Sequence, residues 1–409
     1  MNGVRAVTRP LREPVDLNDV AGADGVLFVR NAVGFAGRGE AARVPADSAA
    51  AWLAGIDHVD HVGGTPGPIA IGAIPFLPGS PAELVVPAVV VGKDATGRAW
   101  VTTVGDDDPG PVDGVAELDG ALPFHLDDVP VTGSASTYRI GAMVPTDHYL
   151  AAVATARDAV RAGELTKAVI ARPVLVESDD PIDVRAVLHR LKASFGASYR
   201  YAVDGLVGAS PELLVEVDGE TVRSHPLAGT APRTGDPDRD AELAARLVAS
   251  TKDQVEHRVV IEMVHDTLLP WVSYLDWQPE PSIVTVANVQ HLGSAVEGRL
   301  SQPAPSVVEL VRALCPTPAL GGHPRDAALD LIARVEGFER GRYGGAVGWV
   351  DARGNGTWAV TIRGAELAAD RRSARLVAGG GIVADSDPRA ELAETQAKLQ
   401  AMLSALVRP

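Results

Sequence analysis

The residues most able to do chemistry lie near the end of the chain, in the segment AGGGIVADSDPRAELAETQAKL at 378–399. Its three consecutive glycines, Gly379, Gly380 and Gly381, are predicted to end a strand at Val377 and to form a loop. Because glycine has no Cβ, the backbone N–H groups of such a loop can approach a bound anion closely. The segment therefore predicts an anion-binding turn.

A helix is predicted directly after this loop. Asp387 followed by Pro388 is typical of an N-cap and a first helical residue. Glu391, Glu394 and Lys398 then follow at helical spacing, so their side chains share one stripe of the helix. Two carboxylates and an ammonium beside a glycine loop indicate a site for an anion and a hard cation. The alternative is an exposed helix in which Glu394 and Lys398 form an ordinary ion pair.

Composition limits the possible partners of the chain. It has 409 residues and a formal net charge of −16, which argues against nucleic acid and against an anionic membrane surface. Its single cysteine, Cys315, excludes an intramolecular disulfide and fits a reducing compartment. The N-terminal segment has no apolar secretory region, and no apolar run is long enough to span a bilayer. We therefore expect a cytoplasmic protein.

The first 143 residues show short apolar, β-branched runs separated by loop signals. Strands are predicted at 26–30, 69–74, 88–91 and 99–104. The loop at 105–114 contains Asp106, Asp107 and Asp108, which could be imagined as a metal site. A proline and a glycine follow at once, so an exposed loop is the better interpretation.

The pattern changes at residue 144. A helix is predicted to begin at a capping Thr146 or Asp147, and the alternating segment TKAVIARPVLVE after it predicts a strand. This strand places Lys167, Val169 and Ala171 on one face. Lys167 then either reaches solvent at a sheet edge or occupies a buried site with a lowered pKa. The alternation alone favours the edge.

Two further segments carry titratable residues. The dipeptide Asp218–Gly219 predicts a hairpin, and Glu212 lies just before that hairpin at a position that is usually exposed. A long helix is predicted from 236 to 269, with Asp236 as its N-cap and a break near Ser250. In that helix Asp253 lies three residues before Glu256.

The same helix has an apolar stripe that is expected to pack inward, formed by Val255, Val259 and Met263. Downstream, NVQHLGSAVEG supplies His291, and LCPTPALGG reads as a rigid loop. A hairpin is predicted in RYGGAVGWVDARGNGTWAVTIRGAEL, with Tyr343 before it and Arg363 near its exit.

Taken in order, these motifs resemble those of the chorismate-utilising enzymes, and most closely their isochorismate synthases. The matching motifs are TKAVIAR, GASPELL, PLAGT, KDQVEH, QHLGS, PTPALGG, RYGGAVGW, AVTIRGAEL and AGGGIVADSDPRAELAETQAK. The resemblance covers residues 144–404 and is weak over 1–143. It implies that 1–409 form one large α/β (α+β) domain, in which mixed, mostly antiparallel sheets pack together with helices outside.

The resemblance also implies roles in moving a hydroxyl group around the chorismate ring. Lys167 resembles the general base that activates water for attack at C2, and Glu212 the general acid that protonates the departing C4 hydroxyl. Mg²⁺ is the implied cofactor. Its implied ligands are Glu256 and Glu394 directly, with Asp253 and Glu391 acting through water.

Chorismate is a dicarboxylate, so the implied substrate needs cationic or N–H partners. Gly229, Thr230 and His291 resemble residues beside the ring carboxylate. Those that resemble the clamp on the enolpyruvyl carboxylate are Tyr343, Arg363, the N–H groups of Gly379 and Gly381, and nearby Lys398.

Three positions distinguish the members of this family. Lys167 favours water over ammonia as the nucleophile, Ala228 replaces the lysine of aminodeoxychorismate synthases, and Ala319–Leu320 replaces the threonine typical of salicylate synthases. Cys315 departs from the histidine common in this loop and is interpreted as a packing residue. A salicylate synthase, an anthranilate synthase component I-like enzyme and a non-catalytic chorismate-binding paralogue remain alternatives.

No glutaminase subunit is expected, because Lys167 favours water. A monomer and a homodimer are both compatible with the sequence. Menaquinone and catecholate-siderophore biosynthesis both remain open as the pathway that the product would feed.

Overall fold

The computed structural model describes residues 3–106, 122, 126, 137–286 and 289–407, without the side chains of Asp106, Lys252 and Glu256. Most of the predicted loop at 105–114, including Asp107 and Asp108, lies outside this part of the chain. The side chain of Glu256, an implied metal ligand, also lies outside it, although its backbone belongs to a described helix.

The largest sheet contains thirteen strands among the described residues, numbered here in chain order. They are β1 (Val4–Leu11), β2 (Val26–Arg30), β3 (Val33–Arg38), β5 (Asp57–Asp60), β8 (Val89–Lys93), β9 (Ala99–Asp106), β10 (Tyr138–Ala142), β11 (Lys167–Ser178), β12 (Tyr199–Val203), β13 (Leu206–Ser210), β21 (Gly322–His323), β24 (Gly364–Leu367) and β25 (Ser373–Ile382). Their spatial order is β10-β11-β25-β24-β13-β12-β2-β3-β8-β9-β1-β5, with β21 paired to β11. In the part of the chain that the structure describes, β1 and β5 are the one parallel pair of this sheet.

A second sheet, as far as the described ranges extend, has nine strands in the order β17-β20-β15-β14-β23-β22-β6-β7-β4. Their bounds are β4 (Ala42–Pro45), β6 (Ile69–Ile74), β7 (Glu83–Val86), β14 (Leu213–Asp218), β15 (Thr221–His225), β17 (Val272–Trp277), β20 (Val296–Leu300), β22 (Ala346–Asp351) and β23 (Gly356–Val360). A small third sheet has the order β16-β19-β18, formed by β16 (Leu227–Pro232), β18 (Ser282–Thr285) and β19 (Val289–Gly293).

The α-helices of the described residues pack around these sheets. They are α1 (Leu17–Ala21), α2 (Ala49–Ala54), α3 (Thr146–Arg161), α4 (Val184–Phe195), α5 (Pro237–Ala249), α6 (Thr251–Leu268), α7 (Val307–Leu314), α8 (Arg325–Val335) and α9 (Pro388–Val407). Within the described part of the chain, no helix is both long enough and apolar enough to span a bilayer.

The two large sheets pack face to face. Phe28 and Tyr201 of the first sheet share a buried cluster with Ile71 and Val347 of the second. Other clusters lie between sheets and helices, such as Leu376 of β25 against Met402 of α9. The predicted fold class, with mostly antiparallel sheets packed together and helices outside, is confirmed.

Several local predictions are also confirmed. Asp236 caps α5 by accepting hydrogen bonds from the N–H groups of Asp238 and Arg239, and Pro237 is the first helical residue. The predicted break occurs at Ser250, whose side chain accepts a hydrogen bond from the Asp253 N–H and so caps α6. These short polar side chains satisfy N–H groups that the first helical turn leaves unpaired.

Two predictions about helices are wrong. The N-cap of α3 is Pro145, without a side-chain hydrogen bond, rather than Thr146 or Asp147. The stripe of α6 that was expected to pack inward is wrong at Val255, which is exposed, whereas Met263 is partly buried against the core. The fully buried positions of α6 include His257, Val260 and Val264, so the buried face lies beside the predicted stripe rather than on it.

The predicted glycine loop is wrong as well. The strand β25 does not end at Val377 but continues to Ile382, with Ala171 opposite Gly379 and Val169 opposite Gly381. Close contacts explain glycine inside a strand here. A Cβ on Gly379 would lie 3.0 Å from Val169 Cγ1, and one on Gly380 would lie 2.6 Å from a carboxylate oxygen of Glu391.

A buried ion pair joins three segments of this fold. The Arg340 guanidinium binds the Glu336 carboxylate, and their side chains are only 2% and 1% exposed. Arg340 also donates to the carbonyls of Val169 and Leu320, both at 2.7 Å. Glu336 accepts the Ala171 N–H at 2.7 Å. The pair thus fixes β11 against the loop that contains Leu320.

We predict that Arg340→Met destabilises the fold by about 3–5 kcal/mol, because it leaves the Glu336 carboxylate buried without a cation. The measurement is the urea unfolding midpoint at neutral pH. The control is Arg299→Met, which breaks an exposed pair with Glu220 and is expected to cost about 1 kcal/mol or less. Equal shifts for the two variants would contradict the prediction.

Candidate active site

A cleft of about 800 Å³ opens between the first sheet, the small third sheet and α9. Its walls include all eleven residues that the sequence proposes for catalysis or substrate binding. They are Lys167, Glu212, Gly229, Thr230, His291, Ala319, Tyr343, Arg363, Gly379, Gly381 and Lys398. Residues far apart in the chain, on β11, β16, β19, β25 and α9, therefore meet at one site.

Lys167 is the first residue of β11 and is buried, with 4% of its surface exposed. The position at a sheet edge that the alternation favoured is wrong, because β11 lies between β10 and β25. At Lys167 itself, β21 pairs with β11 and places His323 opposite the lysine. The buried alternative is therefore the one that the fold adopts.

Glu212 lies between β13 and β14 and is 3% exposed, unlike the usual turn residue. Its Oε1 accepts a hydrogen bond from the Leu227 N–H at 3.4 Å. Burial raises the pKa of Glu212 to about 8, against the lowering effects of the Leu227 N–H and of the Lys167 charge. This carboxyl therefore holds a proton at neutral pH, as a general acid requires.

Cys315 lies near Glu212, whose carboxylate form would raise the pKa of the thiol. It is 5% exposed and packs in the core of the second sheet, which confirms its interpretation as a packing residue. Burial raises the pKa of its thiol to about 12. The thiol is therefore neutral and a poor nucleophile.

An arginine and a tyrosine face the cleft from the segments beside the hairpin β22–β23. Arg363 adopts a left-handed backbone conformation, with φ of 54°, which is uncommon for a side chain of this size. Burial lowers its pKa, and Tyr343 and Glu394 oppose that change. Burial raises the pKa of Tyr343 to about 12, so its hydroxyl remains a hydrogen-bond donor.

Lys398 connects α9 to the glycine strand. Its ammonium donates to the Gly379 carbonyl at 2.9 Å and pairs with the Glu394 carboxylate at 2.7 Å. The alternative, an ordinary ion pair on an exposed helix, is therefore correct about the pair and wrong about the exposure of Lys398. The pair exists, but the Lys398 side chain is only 18% exposed and lines the cleft.

Of the other implied metal ligands with described side chains, Asp253 and Glu391 lie near the cleft rather than in its wall. Glu391 is 8% exposed and accepts a hydrogen bond from Ser386 Oγ at 2.8 Å. The Asp253 Oδ1 atom lies 3.3 Å from the point where a Cβ on Gly229 would be. No group of three metal-binding side chains is close enough to hold an ion among the described residues, which exclude the Glu256 side chain.

The surroundings of these carboxylates nevertheless fit a hard cation. A Cβ on Gly380 would lie 2.6 Å from Glu391 and 4.0 Å from Glu394, so the glycine leaves room for both carboxylates. Gly229 leaves comparable room beside Asp253. Asp253 of α6 and Glu391 and Glu394 of α9 carry hard oxygen donors of the kind that Mg²⁺ takes.

Sequence reasoning missed two features of the site. One is the pair of Glu336 and Arg340, which lies behind the cleft residues Val169 and Leu320. Its signal was the i,i+4 spacing of a glutamate and an arginine. The other is the apolar end of the cleft, formed by Leu376, Leu399 and Met402. The periodicity of α9 contained that signal, but only its charged stripe was interpreted.

Comparisons with known proteins agree with the resemblance. A family model described as "Chorismate binding enzyme" matches residues 118–407. A Mycobacterium tuberculosis protein with the provisional name isochorismate synthase MenF is 41% identical over 354 residues, which are 83% of this chain and 86% of that protein. The isochorismate synthase DhbC of Bacillus subtilis is 37% identical over 350 residues, covering 83% and 81% of the two chains.

A solved structure supports the fold. The structure of MenF, the menaquinone-specific isochorismate synthase of Escherichia coli, superposes with a TM-score of 0.84 at 24% identity. The superposition covers 99% of this chain and 95% of that one. Together with the extent of the family match, these relatives show that the chain belongs to the chorismate binding enzymes.

Proposed function

We propose that this protein is an isochorismate synthase, which converts chorismate to isochorismate by adding water at C2 and releasing the C4 hydroxyl. The proposal rests on one observation: the buried Lys167 and the buried, protonated carboxyl of Glu212 line the same cleft. The cleft also contains cationic side chains that can bind a dicarboxylate. Relatives with at least 30% identity over most of the chain are named as isochorismate synthases.

Glu212 is the general acid of the proposed reaction. Its carboxyl holds a proton at neutral pH because burial disfavours the carboxylate. It can give that proton to the C4 oxygen as the carbon–oxygen bond breaks, so the leaving group departs as water rather than as hydroxide. The resulting carboxylate is stabilised by the Leu227 N–H and by the nearby Lys167.

Lys167 is the general base. It must be neutral to take a proton from the water that attacks C2, after which it becomes an ammonium beside the newly formed Glu212 carboxylate. The two proton transfers thus leave opposite charges on neighbouring groups inside a buried site. That arrangement favours the transfers, because the product state contains an ion pair.

Other polar side chains of the cleft hold the substrate. Arg363 and the Tyr343 hydroxyl offer donors to the enolpyruvyl carboxylate, and Lys398 adds a positive charge beside Gly379. Thr230 lies across the cleft on β16, where the ring carboxylate is proposed to bind. Because the protein as a whole carries a net charge of −16, these local cations must provide the attraction for a dianion.

Mg²⁺ is the proposed cofactor, held by Glu394 and Glu256 with Asp253 and Glu391 around them. When bound, it would act as a Lewis acid and template for the substrate carboxylate. The chain's own contribution is to present hard oxygen donors from α6 and α9 beside glycines that leave room for them.

Water rather than ammonia is proposed as the nucleophile because a buried lysine is available to deprotonate it. The loop residue Ala319 offers no hydrogen bond to the ring, which favours isochorismate over further elimination to salicylate. Relatives include a menaquinone-specific enzyme, and the pathway that this product feeds is left open.

We predict that kcat/KM for chorismate falls as the pH rises through about 8, because Glu212 loses the proton that it must donate. Glu212→Gln is expected to lower the rate by about 10²–10⁴-fold and to remove this limb of the pH profile. Lys167→Ala is expected to cost a similar factor. Glu216→Gln, on the adjoining strand β14 but outside the cleft wall, is the control.

This acid–base assignment is tested by chromatography of the products over a range of pH. A Glu212→Gln enzyme with the wild-type rate and the wild-type alkaline limb would contradict it. So would a wild-type enzyme that forms anthranilate or salicylate as its main product from chorismate.

We predict that Glu394→Gln abolishes Mg²⁺-dependent turnover and weakens Mg²⁺ binding measured by calorimetry, since an amide is a poorer ligand for a hard cation and carries no charge. Stability is expected to change by about 1 kcal/mol or less, because the Glu394–Lys398 pair is partly exposed. Glu297→Gln, an exposed carboxylate elsewhere, serves as the control. Unchanged Mg²⁺ affinity would exclude Glu394 as a ligand.

We predict that Ala319→Thr lowers isochorismate formation and raises the share of salicylate. The added hydroxyl and branched carbon would displace the ring or its water, and a shift of about 1 Å can cost roughly 10²-fold. Mg²⁺ dependence should persist, since no metal ligand is altered. The control is Ala304→Thr in an exposed loop. Unchanged products and rate would remove Ala319 from the specificity argument.

A further inference from the structure

His291 lies in the cleft wall with a defined partner on one side of its ring. It occupies β19 opposite Thr230 of β16 and is 7% exposed. Its Nδ1 atom lies 3.1 Å from the Gly229 carbonyl oxygen and 3.1 Å from Thr230 Oγ1. A carbonyl can only accept a hydrogen bond, so Nδ1 must carry the proton. The hydroxyl of Thr230 can accept from the same N–H.

The pairing irregularity of β16 provides this contact. The register between β16 and β19 shifts between Ala228 and Thr230, and Gly229 has a φ of +75°. A Cβ at Gly229 would lie 3.2 Å from the Asp253 Cβ. Glycine therefore allows the left-handed bulge at this position, and the carbonyl of that bulge fixes one nitrogen of the imidazole.

The opposite nitrogen, Nε2, is buried and has no hydrogen-bond partner among the described residues. The groups that face the ring electrostatically are Arg363, Lys398 and Glu394. Burial, followed by the charges of Arg363 and Lys398, lowers the pKa of His291 to about 3 against the opposing effect of Glu394. The imidazole is therefore neutral near pH 7.

A neutral ring with its proton on Nδ1 presents only a lone pair at Nε2. An ionised carboxylate also presents only lone pairs, so the two cannot form a hydrogen bond. The role beside the ring carboxylate that the sequence suggested for His291 does not match this arrangement. Thr230, Arg363 and Lys398 have donors for a carboxylate, whereas His291 Nε2 requires one.

We infer that His291 is a positioning residue whose Nε2 accepts a hydrogen bond from a hydroxyl group of the ligand, while Gly229 fixes its tautomer. The inference rests on the proposed function for the identity of that hydroxyl. With both carboxylates ionised, chorismate has one O–H group, at C4, and isochorismate has one at C2. His291 then orients the ring through the group that the reaction moves.

The tautomer is tested without turnover. In protein labelled with ¹⁵N-histidine, long-range ¹H–¹⁵N correlation spectra distinguish a protonated from an unprotonated ring nitrogen, and the His291→Asn spectrum identifies the resonances of His291. We expect Nδ1 protonated and Nε2 unprotonated at pH 7. An Nε2–H tautomer or a doubly protonated ring would overturn the inference, whatever reaction the enzyme catalyses.

The hydroxyl ligand is tested with two stable aromatic analogues, benzoates with an enolpyruvyl ether at C3, one with and one without a hydroxyl at C4. Wild-type protein is expected to bind the hydroxylated analogue about 3–10-fold more tightly, as for one neutral hydrogen bond. His291→Asn should lose that preference, because asparagine can keep a donor near Nδ1 but has no atom at Nε2. His291→Gln should restore part of it.

Equal loss of affinity for both analogues in His291→Asn would overturn the inference, because that result indicates a carboxylate partner or a packing role. If neither analogue binds the wild-type protein in the presence of Mg²⁺, the proposed function fails and the hydroxyl ligand fails with it. The spectra would still decide the tautomer, so the two failures can be distinguished.

Discussion

The geometry of the cleft depends on a buried ion pair that touches no substrate. Arg340 and Glu336 satisfy each other and the backbone of Val169, Ala171 and Leu320. A buried pair of this kind is costly to desolvate and contributes little net stability over an apolar alternative. The pair instead fixes the positions of backbone groups, because a guanidinium with several fixed donors holds neighbouring carbonyls in place. The strand of Lys167 and the loop of Ala319 thereby keep a fixed separation.

The cleft contains several basic side chains, although the net charge of the whole chain is negative. The chain carries −16, yet Lys167, Arg363 and Lys398 meet in one pocket. Burial lowers the pKa of Arg363 and raises that of Glu212 to about 8, because it disfavours the charged form of both groups. A dianionic substrate would add negative charge beside Arg363 and Lys398, as the proposed function requires.

Strands, hairpins and caps with local signals could be predicted from the sequence, such as the cap at Asp236 and the break at Ser250. Motif resemblance supplied the family and the set of cleft residues. The failures concern information that is not local. Alternation at Lys167 could not show that β21, which begins 155 residues later in the chain, would cover it. Three apolar residues did not identify the buried face of α6, because that face depends on what packs against the helix. Val255 is exposed, whereas His257 is buried.

The glycines of β25 are a second case in which a local pattern predicted the wrong structure, and two of them line the proposed active site. Consecutive glycines have a high intrinsic tendency to leave a strand, and the predicted loop followed from that tendency. The strand persists because β11 pairs along its whole length, from Ala168–Ile382 to Glu177–Ser373. A side chain at Gly379 would press against Val169, and one at Gly380 would press against the Glu391 carboxylate. A paired strand holds its N–H groups more rigidly than a loop does, so the N–H groups of Gly379 and Gly381 that are proposed to meet a carboxylate would be held in place by the sheet before the substrate arrives.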